Sequence, residues 1–182
     1  VAERTGIEEL NLTTRDISDY NVLMNKRLSV LDAHGLKLQD IQAVIAKIDP
    51  LPGALAFLDE LRAEHQIIIV SDTFLEFAGP LMDKLKRPTL FCNCLNVEPD
   101  GRIAGYELRQ PDGKRKTTEA LQSLNFRVIA FGDSYNDISM LTTADEAFLF
   151  RPPENVIDEY PHIPVTRTYD GLMAHIKKAV AG

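Results

Sequence analysis

An α/β fold built on a parallel sheet is predicted by three observations. Two unbroken apolar runs, Ile67-Ile68-Ile69-Val70 and Val128-Ile129-Ala130-Phe131, each stop at a small acid-bearing polar segment, Ser71-Asp72-Thr73 and Gly132-Asp133-Ser134. Unbroken rather than alternating apolar residues suit strands covered on both faces, as in parallel sheets. From Pro50 onward strand-like and helix-like segments alternate, whereas residues 1–49 read as helical throughout. The chain therefore divides near Pro50-Leu51-Pro52-Gly53 into a helical part, 1–49, and an α/β part, 50–182.

Each element follows from a local pattern. Tyr20, Leu23, Met24, Leu28 and Leu31 recur at helical spacing, and Gly35 supplies a stop. Ile41, Val44, Ile45 and Ile48 form a second amphipathic helix. Leu55, Leu58 and Leu61 mark a helix before the strand at 67–70, and Gly79-Pro80 predicts a helix start with proline in its first position. Glu98-Pro99-Asp100-Gly101 separates two short strand-like runs, which predicts a hairpin. Pro111 to Lys116 reads as a turn entering a helix that carries Ala120, Leu121 and Leu124. The strand at 128–131 leads into the helical Ile138-Ser139-Met140-Leu141, Phe148 to Phe150 gives another short strand, and Asp170 to Val180 closes the chain as an amphipathic helix.

Composition narrows the function classes. At 182 residues the chain is long enough for one sizeable core with a small appended domain. A net charge of −7 and a pI near 5.1 argue against nucleic acid as a partner, and mean that an anionic substrate needs local positive charge. Cys92 and Cys94 form a C-x-C with no second pair to complete a zinc site, so they read as free thiols in a reducing, cytoplasmic setting. No apolar run approaches the roughly 18 residues of a membrane span, and no signal-peptide pattern is present.

The acid-bearing segments carry the chemistry. Asp133 sits where a strand ends, the edge at which open α/β sheets bind ligands. With Asp137 one helical turn on and Asn136 between them, it suits a hard cation such as Mg²⁺, Asp133 directly and Asp137 through water or by orienting other groups. The same residues also read as an N-cap and a solvated first turn. Ser71 either donates its hydroxyl to a phosphate oxygen or caps a turn. A lysine at 114 or 116 either reaches back over a phosphate or belongs to a solvated basic turn. Arg27 lies on or beside the apolar stripe of its helix, where it either binds a carboxylate bidentately or lays its stem over apolar surface.

A serine-bearing strand, then a lysine, then GDxxxD resembles motifs II, III and IV of the haloacid dehalogenase superfamily. SDTF at 71–74, LRQ at 108–110, GDSYND at 132–137, TTRDI at 13–17 and the LxxHGLKL-type stretch at 31–38 are similar to the phosphoserine phosphatase branch, and to its bifunctional phosphatase/homoserine phosphotransferase members. The resemblance implies a Rossmann-like three-layer parallel sheet with a small helical cap. It implies an Mg²⁺-dependent enzyme of serine metabolism that works through an aspartyl-phosphate. Ser71 and Lys114 would hold phosphate oxygens, Asp133 the metal, and Asp137 and Asn136 would orient groups. Arg27, in Lys26-Arg27-Leu28-Ser29-Val30-Leu31, would bind the amino-acid carboxylate. Asp72 stands where ordinary members have glycine, and its carboxylate is expected to turn away from phosphate. The expected partner is a small phosphate ester, with no nucleic acid and no membrane; a homodimer is left open.

One departure from the superfamily pattern stands out. Its nucleophile lies in a DxDx(T/V)-type motif on a first strand, and no such strand is seen here. Val1 to Gly6 already resembles the start of the cap, and neither Asp16 nor Asp19 follows an apolar run. About 20 residues upstream of Val1 are expected to supply that strand. Residues 1–182 alone are then expected to be inactive, to fold poorly or aggregate, and to show a gap in mid-sheet or another segment filling it. Three other readings remain: a phosphatase for another small ester, a non-catalytic binding protein on the same scaffold, and a receiver-like signalling module.

Overall fold

The structure is a computed structural model, and it describes residues 6–12, 16–17 and 20–181, with the side chain of Tyr20 left out. Thr13, Thr14 and Arg15 of the 13–17 motif, Asp19, and Val1 to Thr5 lie outside the described residues.

The elements run in the order α1 (Tyr20–Ala33), α2 (Leu38–Ile45), α3 (Ala54–Glu64), β1 (Ile68–Phe74), α4 (Leu75–Lys84), β2 (Thr89–Val97), β3 (Ile103–Glu107), α5 (Gly113–Ser123), β4 (Ile129–Gly132), α6 (Ile138–Thr143), β5 (Glu146–Phe150), α7 (Glu154–Glu159), β6 (Val165–Thr166) and α8 (Tyr169–Ala181). The chain divides into two compact units, one of residues 1–51 with 71–109, the other of residues 52–70 with 110–182. One boundary lies between Leu51 and Pro52, and residues 71–109 group with residues 1–51.

β1, β2 and β3 form one sheet in that order, Ser71 to Phe74 of β1 belonging to the first unit, and β2 pairs β3 antiparallel, as the hairpin reading expected. Gly101 closes that hairpin at φ +89, a conformation open to glycine. Met24 and Leu31 of α1, Ile41 of α2, Phe74, Leu95 and Ile103 make the unit's core. The amide of Lys37 donates to the Asp40 carboxylate at 2.8 Å, capping α2.

In the second unit β4, β5 and β6 form a parallel sheet, with Phe131 opposite Phe148 and Gly132 opposite Leu149. Alternation sends Phe131, Phe148 and Phe150 to one face, against Phe57, Leu172 and Ile176 of α3 and α8. Ala130 and Leu149 go to the other face, against Met140, Leu141 and Val156.

Three local expectations are corrected. Ser71-Asp72-Thr73 is not a turn after the strand; β1 runs on to Phe74, whose buried ring packs on Phe77 and Tyr106 and so extends the ladder. Proline does not open the next helix: α4 starts at Leu75 and Pro80 lies inside it. A proline there leaves the carbonyl four residues back without its helical donor. That carbonyl, Glu76, accepts a hydrogen bond from Gln42 Nε2 of α2 at 2.8 Å, so tertiary contact replaces what proline removes. Finally, the apolar runs read as buried on both faces are largely half-buried: Ile68, Ile69 and Val70 are intermediate, as are Ile129 and Phe131. The reason is position, since β1 and β4 are each the edge strand of their sheet. Apolar edge strands are ready templates for a further strand.

Candidate active site

The carboxyl end of β4 is organised by one buried carboxylate. After Gly132 the chain turns through Asp133 and Ser134 into a short 3₁₀ turn, Tyr135–Asp137, and then α6. Asp137 is 6% exposed. Its Oδ2 accepts the backbone N–H groups of Asp133 and Ser134 at 3.0 and 3.1 Å and the Ser134 hydroxyl at 3.2 Å. Its Oδ1 accepts from Lys114 Nζ at 2.7 Å, and the lysine is itself 8% exposed. One side chain therefore folds the loop back on itself and anchors the cation beside it. Gly132 permits this: a Cβ there would lie 2.5 Å from the Asp137 carboxyl carbon.

Lys114 reaches this position because α5 begins where it does. Asp112, at φ 49, turns the chain into the helix, and its carboxylate accepts from Arg115 and from the Ser139 hydroxyl of α6 at 2.8 Å. Those two hydrogen bonds, Arg115 first, hold the Asp112 carboxyl below its usual range. Lys116, the other candidate, pairs instead with Glu119 at 3.0 Å on an exposed face.

Around this pair the remaining groups are open. The Asp133 side chain is exposed, and so is Asn136, whose Oδ1 accepts from the Ser134 hydroxyl. Tyr135, on the same loop, is 46% exposed, and its hydroxyl accepts from Asn155 Nδ2 at 3.2 Å.

In the other unit, Ser71 accepts the Thr73 N–H at 3.2 Å, and Asp72 is exposed. The Asp72 carbonyl accepts from Asn93 Nδ2 at 3.2 Å, and Asn93 Oδ1 accepts the Arg109 N–H at 3.1 Å. Arg27 donates from Nη2 to the Leu12 carbonyl at 2.6 Å, while its Nε is buried with no partner among the described residues. Buried unpaired donors are rare and point to a missing acceptor.

A family model for haloacid dehalogenase-like hydrolases matches residues 4–145. The chain is 54% identical over 178 residues to phosphoserine phosphatase ThrH of Pseudomonas aeruginosa, which covers 98% of this chain and 87% of that protein. The chain belongs to the haloacid dehalogenase-like hydrolases. A phosphoserine phosphatase of Pseudomonas syringae pv. tomato is 53% identical over 98% of this chain and 75% of its own. Two solved structures share the fold of this dehalogenase-like hydrolase. A phosphoserine phosphatase in apo form gives a TM-score of 0.72 at 24% identity, over 91% of this chain and 84% of the other. A phospho-aspartyl intermediate analogue of phosphoserine phosphatase gives 0.71 at 22%, over 96% and 84%.

No group of three His, Cys, Asp or Glu side chains converges among the described residues. Mg²⁺ asks for less, one or two carboxylates completed by water and substrate phosphate. Asp133 meets that need with an exposed carboxylate at the strand end, whereas Asp137 is taken up by Lys114 and the loop amides.

Sequence reading missed Asn93, a buried polar residue bridging the backbones of Asp72 and Arg109. Its signal was an amide inside the otherwise apolar run from Leu90 to Leu95. Cys92 and Cys94 are both free, and burial pushes the Cys92 thiol up. No helix among the described residues is long and apolar enough to cross a membrane.

Proposed function

We propose that this hydrolase is an Mg²⁺-dependent phosphoserine phosphatase of the cytoplasm that can also pass the phosphoryl group to an alcohol such as homoserine. The observation that carries the reading is the buried Lys114–Asp137 pair beside the open Asp133 carboxylate at the end of β4. Phosphoryl transfer needs little covalent chemistry from most of the site; it needs the anion positioned and its charge offset. A lysine held at 2.7 Å by a carboxylate that also shapes the loop is fixed in place to meet a phosphate oxygen. Names shared by relatives at 54% and 53% identity support phosphoserine as the substrate.

In this reading Ser71 and Lys114 hold phosphate oxygens and Asn136 orients the same group. Asp133 would hold Mg²⁺, which when bound screens the phosphate charge from the incoming nucleophile. An aspartate nucleophile attacks phosphorus, the seryl oxygen leaves with the bridging electrons, and water or the acceptor alcohol then takes the phosphoryl group from the aspartyl-phosphate.

Asp133→Asn weakens Mg²⁺ binding to the native protein far more than Asp137→Asn does. Calorimetric titration of Mg²⁺ into both variants checks this, and equal affinities would remove Asp133 from the metal.

Arg27 reads the substrate carboxylate, and its buried, unpartnered Nε supports an acceptor arriving there. Arg27→Ala lowers kcat/KM for phosphoserine about 10- to 150-fold, the loss of a charge-assisted hydrogen bond, and spares an ester without a carboxylate. An equal loss on both substrates assigns Arg27 to structure. The bond from its Nη2 to Leu12 favours a second reading, the same chemistry on another small phosphate ester. Turnover of a panel of esters separates the two.

A further inference from the structure

We propose that Tyr135, tied to α7, is a positioning residue that holds the Asp133 loop in the shape a cation needs. The inference rests on the reading of Asp133 as the metal-bearing group and names a residue that the reading does not use.

The loop has two anchors. Between Gly132 and Asp137 every residue but Tyr135 is small and polar. The inner anchor is the buried Asp137 carboxylate, which takes the N–H groups of Asp133 and Ser134. The outer anchor is Tyr135. Its hydroxyl accepts from Asn155 Nδ2 at 3.2 Å, and its own proton goes to the Glu159 carboxylate or to the Asn155 carbonyl, 3.5 Å away. All of these groups belong to α7, so the hydroxyl is tied to one helix whichever of them takes the proton. The ring adds an edge-on contact with Tyr160, the residue that follows α7, at 6.3 Å between centroids.

The helix is a firm point to tie to. Pro152, just ahead of it, is fully buried. Val156, next to Asn155, is 0% exposed and packs with Ala130 of β4 and Leu149 of β5, and Tyr160 packs against the same cluster. A close-packed interior yields little, so a side chain bonded to α7 carries the rigidity of this core out to the loop.

Mg²⁺ makes that rigidity matter. It demands near-octahedral geometry with oxygens at about 2.0–2.1 Å. Asp133 offers it an exposed carboxylate, whose aim is set chiefly by the loop backbone. With Asp137 holding its N–H and Tyr135 held two residues on, that backbone is ordered before any ligand arrives. Binding then avoids the ordering cost that a loose loop would incur. Tyr135 touches neither cation nor phosphate in this account; it acts through Asp133.

Mg²⁺ itself is the probe, titrated calorimetrically into the native protein. Tyr135→Phe keeps the ring and loses only the hydroxyl, and it binds Mg²⁺ about 3- to 10-fold more weakly, the scale of one hydrogen bond. Asn155→Ala weakens binding in the same direction, and the double variant is no weaker than Tyr135→Phe alone. Hydrogen exchange at the Asp133 and Ser134 amides quickens in both single variants, while exchange in β5 does not; a merely destabilised protein would quicken both. An unchanged Mg²⁺ affinity in Tyr135→Phe overturns the proposal, as do losses that multiply in the double variant, or exchange that quickens in loop and β5 alike. Should Tyr135→Phe fail to fold, Asn155→Ala decides by the same two measurements. A wild-type protein that takes up no Mg²⁺ overturns the reading of Asp133, while the exchange rates still judge the tether.

Discussion

Gly132→Ala reduces turnover about 100-fold or more in the native protein while leaving it folded. The backbone of Gly132 does not have a positive φ, so alanine is not excluded by conformation. Space excludes it, because the new methyl would sit 2.5 to 2.6 Å from the Cγ, Cβ and Oδ2 atoms of Asp137. Asp137 has little freedom to retreat: Oδ1 holds Lys114 at 2.7 Å and Oδ2 holds two loop amides. Overpacking of this kind costs about 1–3 kcal/mol, which a domain of ordinary stability survives. The functional loss is larger, since a shift of about 1 Å in a catalytic group lowers rates about 100-fold. The measurements are kcat on phosphoserine and the unfolding midpoint. Activity within twofold of wild type would show that the loop adjusts around the methyl and that its geometry is not critical.

Breaking the Lys114–Asp137 pair has the largest effect on both stability and activity. Both side chains are nearly inaccessible, so removing one takes from the other its ion-pair partner at 2.7 Å in a poorly solvated place. Lys114→Met and Asp137→Asn each destabilise the protein by about 3–5 kcal/mol. The double variant loses less than the sum, because the second substitution removes the charge whose ion-pair partner the first took away. Turnover falls at least 100- to 1,000-fold in all three, the usual consequence of losing a fixed donor to developing charge. Denaturant unfolding of the four proteins gives the coupling. A coupling below about 0.5 kcal/mol would mean that the pair is not a unit and that Asp137 serves only the loop.

Both predictions rest on residues whose types the sequence displayed and whose relation it did not. GDSYND marks Asp133 and Asp137 as neighbours of a strand end, and PDGKRK marks a basic turn. Nothing along the chain says that Lys114 rather than Lys116 meets Asp137, because that choice depends on the helical phase set by Asp112 at φ 49 and its bond to Ser139. Ser71 was read as ending a strand; burial of Phe74 three residues later draws the ladder past it. Pro80 reads locally as a helix start, but it lies inside the helix, where Gln42, 34 residues before Glu76, supplies the donor that proline removes.

What the sequence determined by itself was therefore the order and type of the elements, the α/β class, and the residue types at the strand ends. Periodicity, glycine, proline and acid-bearing turns are local, and they act through backbone conformation and the side chains nearest in the chain. Tertiary structure alone decided which strands are edges, which lysine joins Asp137 and why Gly132 must lack a side chain. Those are outcomes of packing between segments far apart in sequence, where distances of a few ångströms set the energies and no residue pattern records them.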